Sequence, residues 1–204
     1  MAPSTRRKRE IARMKESILS AAGTLFQEHG YEQTTLRKIA QSIDYNPATI
    51  YNYYKNKEEL FFALQESAFQ QFYEEFLDLH DSELKADQKL RQMGEIYIRF
   101  GLENPLQYEL MFIMRKPMNA AETLDPEWKI GAQVFELLKV VIQQCIEEGS
   151  MHITDVEAGA FMIWSQVHGL VSLLIMDRMH MIEEDHSVVL NKAFDLFDSM
   201  IHSI

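Results

Sequence analysis

Apolar residues recur at helical spacing along almost the whole 204-residue chain. In one example, Leu36, Ile39, Ala40 and Ile43 fit the i, i+3, i+4, i+7 pattern of a single helix face without exception. No stretch alternates apolar and polar residues as a half-buried strand would, and residues 116–128 form the longest loop-like segment. The pattern therefore predicts an all-α protein of about nine helices.

The chain opens with a pattern of three helices. Thr34 or Thr35 can cap the second helix, and Asn46 can cap the third, which has Pro47 at its first position. Asp44 lies in the short turn between them, and aspartate tolerates a left-handed backbone better than most residues. The pattern therefore predicts a head of three helices.

The segment PATIYNYYKNKEEL (47–60) predicts the function of the third helix. At about 100° per residue, Ile50 and Tyr54 share one narrow face that can pack against the first two helices. The opposite arc suits a DNA groove, because Ala and Thr contact thymine methyl groups, Asn bonds to base edges and Tyr bonds to phosphates. The residues of this arc are Ala48, Thr49, Tyr51, Asn52 and Tyr53.

The charges of the chain are unevenly distributed. Residues 1–57 hold ten Lys and Arg against five Asp and Glu, whereas residues 58–204 hold ten against twenty-six. A basic head on an acidic body predicts that the head binds a polyanion while the body has another function. We predict a DNA-binding domain at residues 1–57 and, from the methionine-rich and apolar patterns of the body, a ligand-binding and dimerisation domain at residues 58–204. The basic run 6–9 is predicted to form a flexible arm along the DNA backbone or minor groove. The other predicted phosphate ligands are Arg37, Lys38, Lys55 and Lys57.

An ordered set of residues between about 12 and 62 resembles the DNA-binding domain of the tetracycline-repressor (TetR) family. The set comprises Ala21, Ala22, Leu25, Phe26, Gly30, Tyr31, Thr34, Thr35, Ile39, Ala40, Thr49, Ile50, Tyr51, Tyr54, Lys57, Glu58 and Leu60. The resemblance implies a helix-turn-helix over about residues 36–55, with residues 47–53 as the recognition helix. It also implies that Tyr51 and Lys57 anchor phosphates and that Thr35 is a phosphate-binding cap. Asp44 stands where the family usually has glycine.

The acidic body is rich in methionine and large aromatic residues. Methionine adapts to varied apolar partners, so these residues form either a pocket for a hydrophobic small molecule or an ordinary helical core. The segments NPLQYELMF (104–112) and WSQVHGL (164–170) resemble a TetR C-terminal domain marked by a Trp, a His and a Gly, which implies a pocket near Trp164 and His168. The predicted ligand-site residues are Met93, Tyr97, Phe100, Tyr108, Met111, Phe112, Phe135, Trp164 and His168.

The last two predicted helices carry broad apolar faces that one body need not bury alone. Two such helix pairs across a twofold axis would form a four-helix interface, as the resemblance also implies. A twofold dimer requires a palindromic DNA site with two half-sites. The predicted interface residues are Val171, Leu174, Ile175, Leu190, Phe194, Phe197 and Ile201.

These features favour a homodimeric repressor that a small hydrophobic effector releases from a palindromic operator. One alternative is a DNA-binding protein whose body binds a protein partner, and a remote one is a helical enzyme. No nucleophile elbow, phosphate loop, metal-ligand cluster or pair of carboxylates in an apolar context is recognisable, so we predict no catalytic residue, cofactor or metal site. The single Cys145, the lack of a secretory signal and the lack of an apolar run of about 18 residues favour a cytoplasmic location without a membrane partner.

Overall fold

The computed structural model describes residues 5–114 and 129–201, and the predicted loop at 116–128 lies outside that range. Within the described residues the chain forms nine α-helices and no strand, so the all-α prediction is confirmed. A π-helical turn, Glu109–Ile113, follows the sixth helix. The helices are α1 (Thr5–Gln33), α2 (Leu36–Ser42), α3 (Pro47–Tyr51), α4 (Lys57–His80), α5 (Ala86–Glu103), α6 (Pro105–Tyr108), α7 (Lys129–Glu147), α8 (Val156–Ile175) and α9 (His186–Ile201).

These helices fold into two compact units. In the described part of the chain, the first unit comprises residues 5–68 and 106–114, and the second comprises residues 69–105 and 129–201. The helix α4 contributes residues to both units. The sequence-based boundary between residues 57 and 58 falls at the start of α4, and as a boundary between functions it stays a prediction.

The core of the first unit is built on one face of α1. Ile18, Ala22 and Phe26 recur every four residues on that face and are fully buried. They belong to one apolar cluster with Ile39 of α2 and Ile50 of α3. Because burying an aliphatic or aromatic side chain of this size contributes about 1.5–3 kcal/mol, this cluster holds the two short helices against α1.

The chain reverses direction at the end of α1. Gly30 has a positive φ of 76°, which glycine adopts without a steric penalty. The hydroxyl of the buried Thr34 lies 2.9 Å from the carbonyl oxygen of Gly30 and 3.0 Å from that of Leu25. These contacts satisfy polar groups at the end of α1 and set the start of α2.

In the second unit, α5, α7 and α8 pack against one another and α9 packs on α8. Arg91 of α5 donates to Asp198 at 2.6 Å and to Asp195 at 2.7 Å, both on α9. One turn further along α5, a Cβ added to Gly94 would lie 2.6 Å from the Phe194 ring. The ion pairs and the glycine together allow a close approach of α9 to α5.

The helix α8 is the most apolar of the long helices. Among the described residues, it is the one helix long and apolar enough to cross a membrane by length and composition alone. One such helix is a weak indicator, because core helices of soluble proteins have the same property. Only 28% of its most apolar 18-residue window is buried within the chain, so much of its apolar surface faces outward.

Candidate nucleic-acid interface

Side-chain caps fix the two helices of the helix-turn-helix. The Thr35 hydroxyl accepts a hydrogen bond from the Lys38 amide at 3.2 Å, and the side-chain Oδ1 of Asn46 accepts one from the Ala48 amide at 2.9 Å. Asp44, in the turn between the helices, has a φ of 58°. Of the two predicted alternatives, Thr35 caps α2, and the predicted Asn46 cap and left-handed aspartate are confirmed.

The short helix α3 has one buried side and one exposed side. Ile50 is fully buried and Tyr54, just beyond the helix, is 4% exposed, so the predicted inward face is confirmed. Ala48, Tyr51 and Asn52 are exposed, and the exposed fraction of Tyr51 is 58%. The predicted arc is therefore largely accessible to a ligand.

Two other residues of the predicted arc are less accessible. Thr49 is half-buried, and the half-buried Tyr53 packs against the apolar cluster of the first unit. The helix also ends at Tyr51, with Asn52 as its C-terminal cap, rather than at residue 53. Pro47 occupies the first helical position, as predicted, and is half-buried.

The predicted phosphate-binding residues lie before and after α3 in the sequence. Arg37, Lys38 and Lys55 are exposed, whereas Lys57 is half-buried. The Lys57 ammonium donates to the Tyr31 carbonyl oxygen at 2.7 Å and lies 4.0 Å from the centroid of the Tyr31 ring. Since an ammonium has three donor hydrogens, Lys57 can be positioned by Tyr31 and still donate to a phosphate.

The chain between α3 and α4 is fixed by a reciprocal cap that the sequence reading missed. The side-chain Oδ1 of Asn56 accepts from the Glu59 amide, and the Glu59 carboxylate accepts from the Lys55 amide, each at 2.7 Å. The signal was present, because Asn and Glu are spaced three apart as in a capping box. This cap places Lys55 and Lys57 directly after α3.

We expect loss of the Asn46 cap to weaken the helix-turn-helix. The variant Asn46→Ala should lose about 1 kcal/mol of unfolding free energy, because a helix amide loses its side-chain acceptor. Chemical denaturation of the full chain measures this change. Asn46→Asp restores an acceptor and should remain within about 0.5 kcal/mol of the wild type, and equal losses in both variants would contradict the capping role.

Several predicted ligand-site residues meet in the second unit. The Trp164 indole donates to the Tyr97 hydroxyl oxygen at 3.2 Å, and this oxygen lies 3.0 Å from Nδ1 of His168. The Phe135 and Trp164 ring centroids are 6.1 Å apart. Burial lowers the pKa of His168, so its neutral ring can accept the Tyr97 hydroxyl hydrogen at Nδ1. The group is therefore a polar chain within apolar surroundings.

The remaining predicted ligand-site residues divide between the two units. Met93 and Phe100 of α5 are buried in the second unit. The sequence reading missed Phe72, whose ring centroid lies 5.5 Å from that of Tyr97 and 4.9 Å from that of Phe100. Phenylalanines recur at i, i+3, i+7 in α4, and this spacing predicts an apolar helix face that contains Phe72. The other three, Tyr108, Met111 and Phe112, belong to the first unit.

The predicted dimer interface stays a prediction, and the structure gives the exposure of its residues in the single chain. The side chains of Val171, Leu190, Phe194 and Ile201 are buried within the chain itself, so little of their surface is left for a second copy. Leu174, Ile175 and Phe197 are half-buried. The apolar pattern had selected the inward side of α8 and α9, and their outward side is also apolar. Its exposed members include Phe161, Met162, Leu173, Val188, Leu196 and Met200, here called the outer face.

We expect the stability of the protein to fall on mild acidification because of His168. Its folded pKa is lowered from the ordinary value of about 6.5, so the unfolded chain binds the proton more readily. The corresponding stability is present above about pH 6.5 and is lost as the pH falls toward the folded pKa. Unfolding free energies near pH 7.5 and near pH 5.5 should differ more in the wild type than in His168→Asn, which keeps an acceptor but does not titrate. Equal differences would contradict this assignment.

Residues 18–64 match the profile of bacterial regulatory proteins of the tetR family. Residues 90–202, more than half of the chain, match the tetracyclin repressor-like C-terminal domain. The chain belongs to the TetR family. Its relatives are helix-turn-helix transcriptional regulators and not enzymes.

Individual relatives differ in how much of this TetR-family chain they match. The IcaR negative regulator of the biofilm operon icaADBC from Staphylococcus epidermidis is 39% identical over 74 residues, which are 36% of this chain and 40% of IcaR. The match thus spans less than half of that relative. The probable acrEF/envCD operon repressor of Escherichia coli K12 is 24% identical over 180 residues, which are 84% of this chain and 80% of the repressor.

A solved structure shows the same fold over nearly the whole chain. The regulator FadR from Bacillus subtilis, in complex with stearoyl-CoA, superposes with a TM-score of 0.75 at 21% identity. The superposition covers 90% of this chain and 97% of FadR. At this identity, the likeness establishes the fold.

Proposed function

We propose that this protein is a cytoplasmic homodimeric repressor that binds a palindromic DNA operator and leaves it when a small hydrophobic effector binds. The observation that carries the proposal is the two-sided helix α3, which buries Ile50 and exposes Ala48, Tyr51 and Asn52. The repressor function of the relatives supports the direction of the regulation.

The proposed DNA contacts divide by chemistry. Asn52 can bond to the edge of a base, and Ala48 and Thr49 are small enough to let α3 approach the major groove. Tyr51, Arg37, Lys38, Lys55 and Lys57 donate to phosphates and fix the register of the helix on the duplex. Thr35 adds a phosphate contact at the start of α2. Tyr53 supports the helix from its half-buried position.

The outer face supports a homodimer. On this face, Phe161 is 61% exposed, Leu196 67% and Met200 63%. A large exposed apolar patch is typical of an interaction site. Gly169 lies among the outward-facing residues of α8, and nothing lies within 4 Å of a Cβ built on it. The chain's own packing therefore does not require glycine there, whereas close approach of a partner helix would. Self-association through α8 and α9 would pair two α3 helices for two half-sites.

The residues of the second unit support the proposed binding of a small hydrophobic effector. Its α5 carries the buried Met93 and Phe100, and the Phe135 ring of α7 lies 6.1 Å from that of Trp164 on α8, which donates to the Tyr97 hydroxyl oxygen. Flexible methionines and aromatic rings suit an apolar ligand, and the hydroxyl suits a polar group on it. The structural neighbour FadR was crystallised with stearoyl-CoA, which makes long-chain acyl compounds the first effectors to test. An effector can release DNA only if it prefers the conformation that binds DNA less well.

A selection experiment tests the DNA-binding part of the proposal. Genomic fragments retained by the purified full chain should share a palindromic sequence. Asn52→Ala should bind that sequence about 5- to 150-fold more weakly, since a good base contact contributes about 1–3 kcal/mol of discrimination. Gln143→Ala, at an exposed position of α7, is the matched control and should bind like the wild type. Retention of random fragments without a shared sequence would contradict the proposal.

Thermal unfolding tests the effector. A ligand at about 100 times its dissociation constant should add about 2.7 kcal/mol to the unfolding free energy and should also release the selected DNA. Stearoyl-CoA and free coenzyme A are the matched compounds, since they differ only in the acyl chain. Stabilisation by neither compound would remove the acyl class from the proposal.

A further inference from the structure

The first turns of α1 extend beyond the core of the first unit. From Arg6 to Ser17 no side chain is fully buried, and only Ile11 and Met14 are half-buried. Ile18 is the first fully buried residue of the helix. At 1.5 Å per residue, the exposed part is about 18 Å long. Core packing therefore contributes little to the stability of this part of α1, and it does not account for the residue types found there.

The same turns carry positive charge in every direction around the helix. Arg6, Arg7, Lys8 and Arg9 are consecutive, so at about 100° per residue they point to all sides. Arg13 follows one turn later, and the one acidic residue before it, Glu10, pairs with Arg6 at 3.0 Å. Whichever side of α1 faces a polyanion therefore carries a cation.

This arrangement is unfavourable for the helix on its own. The amino-terminal end of a helix carries about half a positive charge, and acidic residues are preferred there. The first turn of α1 has no acidic residue and instead has three arginines and a lysine close by. A segment that breaks such a local preference is typical of a functional surface. An anion bound there would relieve both the dipole and the repulsion between the cations.

We propose that residues 6–13 of α1, here called the basic collar, bind phosphates of the duplex that flanks the sequence read by α3. The inference rests on the proposed DNA binding and deepens it by adding a second contact surface. The sequence predicts a flexible arm along the DNA backbone or the minor groove. The structure instead makes these residues helical from Thr5 onward. An α-helix is about 10–12 Å wide with its side chains and the minor groove is about 6 Å wide, so the helical collar does not enter the minor groove and its cations act on phosphates.

Salt dependence tests the collar. The DNA probe is a sequence selected with the wild-type protein from a random-sequence library. It is made in two lengths: the selected sequence alone, called the core duplex, and the same sequence with ten base pairs added on each side, called the long duplex. The variant Arg6→Gln/Lys8→Gln/Arg9→Gln should lower the slope of log affinity against log salt on the long duplex by about 2–3, at about 0.9 for each lost phosphate contact. On the core duplex, its slope should match that of the wild type.

Three controls make the test specific. Lys85→Gln/Arg99→Gln/Arg178→Gln removes the same charge from exposed positions of the second unit and should leave both slopes unchanged. Exchanging A·T for G·C pairs in the added flanks should not alter wild-type affinity, because phosphates are common to all sequences. An unchanged slope in the collar variant, or a dependence on flank composition, would overturn the collar while leaving the proposed function intact. Failure of the wild-type protein to select any sequence would overturn the proposed function itself.

Discussion

Replacing Ile50 with alanine is expected to lower the unfolding free energy of the first unit by about 2–5 kcal/mol. Ile50 is fully buried and belongs to the same cluster as Ile18, Phe26 and Ile39. The substitution removes apolar contacts and leaves a cavity beneath α3, which has only five helical residues to retain its position. Operator affinity should fall with stability, because the exposed residues of α3 depend on this anchor.

The neighbouring Tyr51 is the matched control for Ile50. It lies on the same helix but is 58% exposed, so Tyr51→Ala should change the unfolding free energy by less than about 1 kcal/mol while still weakening DNA binding. Denaturant unfolding followed by circular dichroism, together with a gel shift on the selected duplex, separates the two effects. Equal stability losses at positions 50 and 51 would show that α3 is not anchored as the structure describes.

The helix-turn-helix could be predicted in detail because its determinants are local. The caps at Thr35 and Asn46 act on amides two or three residues away, and the left-handed Asp44 is a property of one residue. The inward direction of Ile50 follows from helical periodicity over a few turns. Each of these features depends on neighbours in the sequence, so the sequence alone contains the information.

Contacts between distant residues could not be predicted in the same way. The Lys57 ammonium donates to a carbonyl oxygen 26 residues away, and Arg91 donates to Asp198, which is 107 positions away. Periodicity identifies apolar faces but does not determine which partner covers them. For that reason the apolar pattern places the inward residue Val171 in the predicted interface and leaves out the exposed Leu173, two residues later. For the same reason, periodicity does not predict which of the two units each aromatic residue belongs to.

Glutamate at positions 173 and 196 is expected to convert the proposed dimer to a monomer. Leu173 of α8 and Leu196 of α9 are 49% and 67% exposed in the single chain, so neither substitution disturbs its core. In a twofold dimer that buries the outer face, Leu173→Glu/Leu196→Glu would place four carboxylates in the interface. Each unpaired buried charge costs about 3–5 kcal/mol, so the dimer should weaken by more than about 1,000-fold. Light scattering at matched concentrations measures the change.

Loss of the dimer should also change how the protein binds DNA. A monomer presents one α3 helix, so the variant should bind the complete palindrome no better than a single half-site, whereas the wild type should prefer the palindrome strongly. Met181→Glu is the matched control, because Met181 is 79% exposed but lies in the segment between α8 and α9. That control should remain dimeric, and the unfolding midpoint of the monomeric variant should no longer depend on protein concentration. A double variant that stays dimeric would place the interface away from the outer face, and the pairing of α3 helices would then need a different symmetry axis.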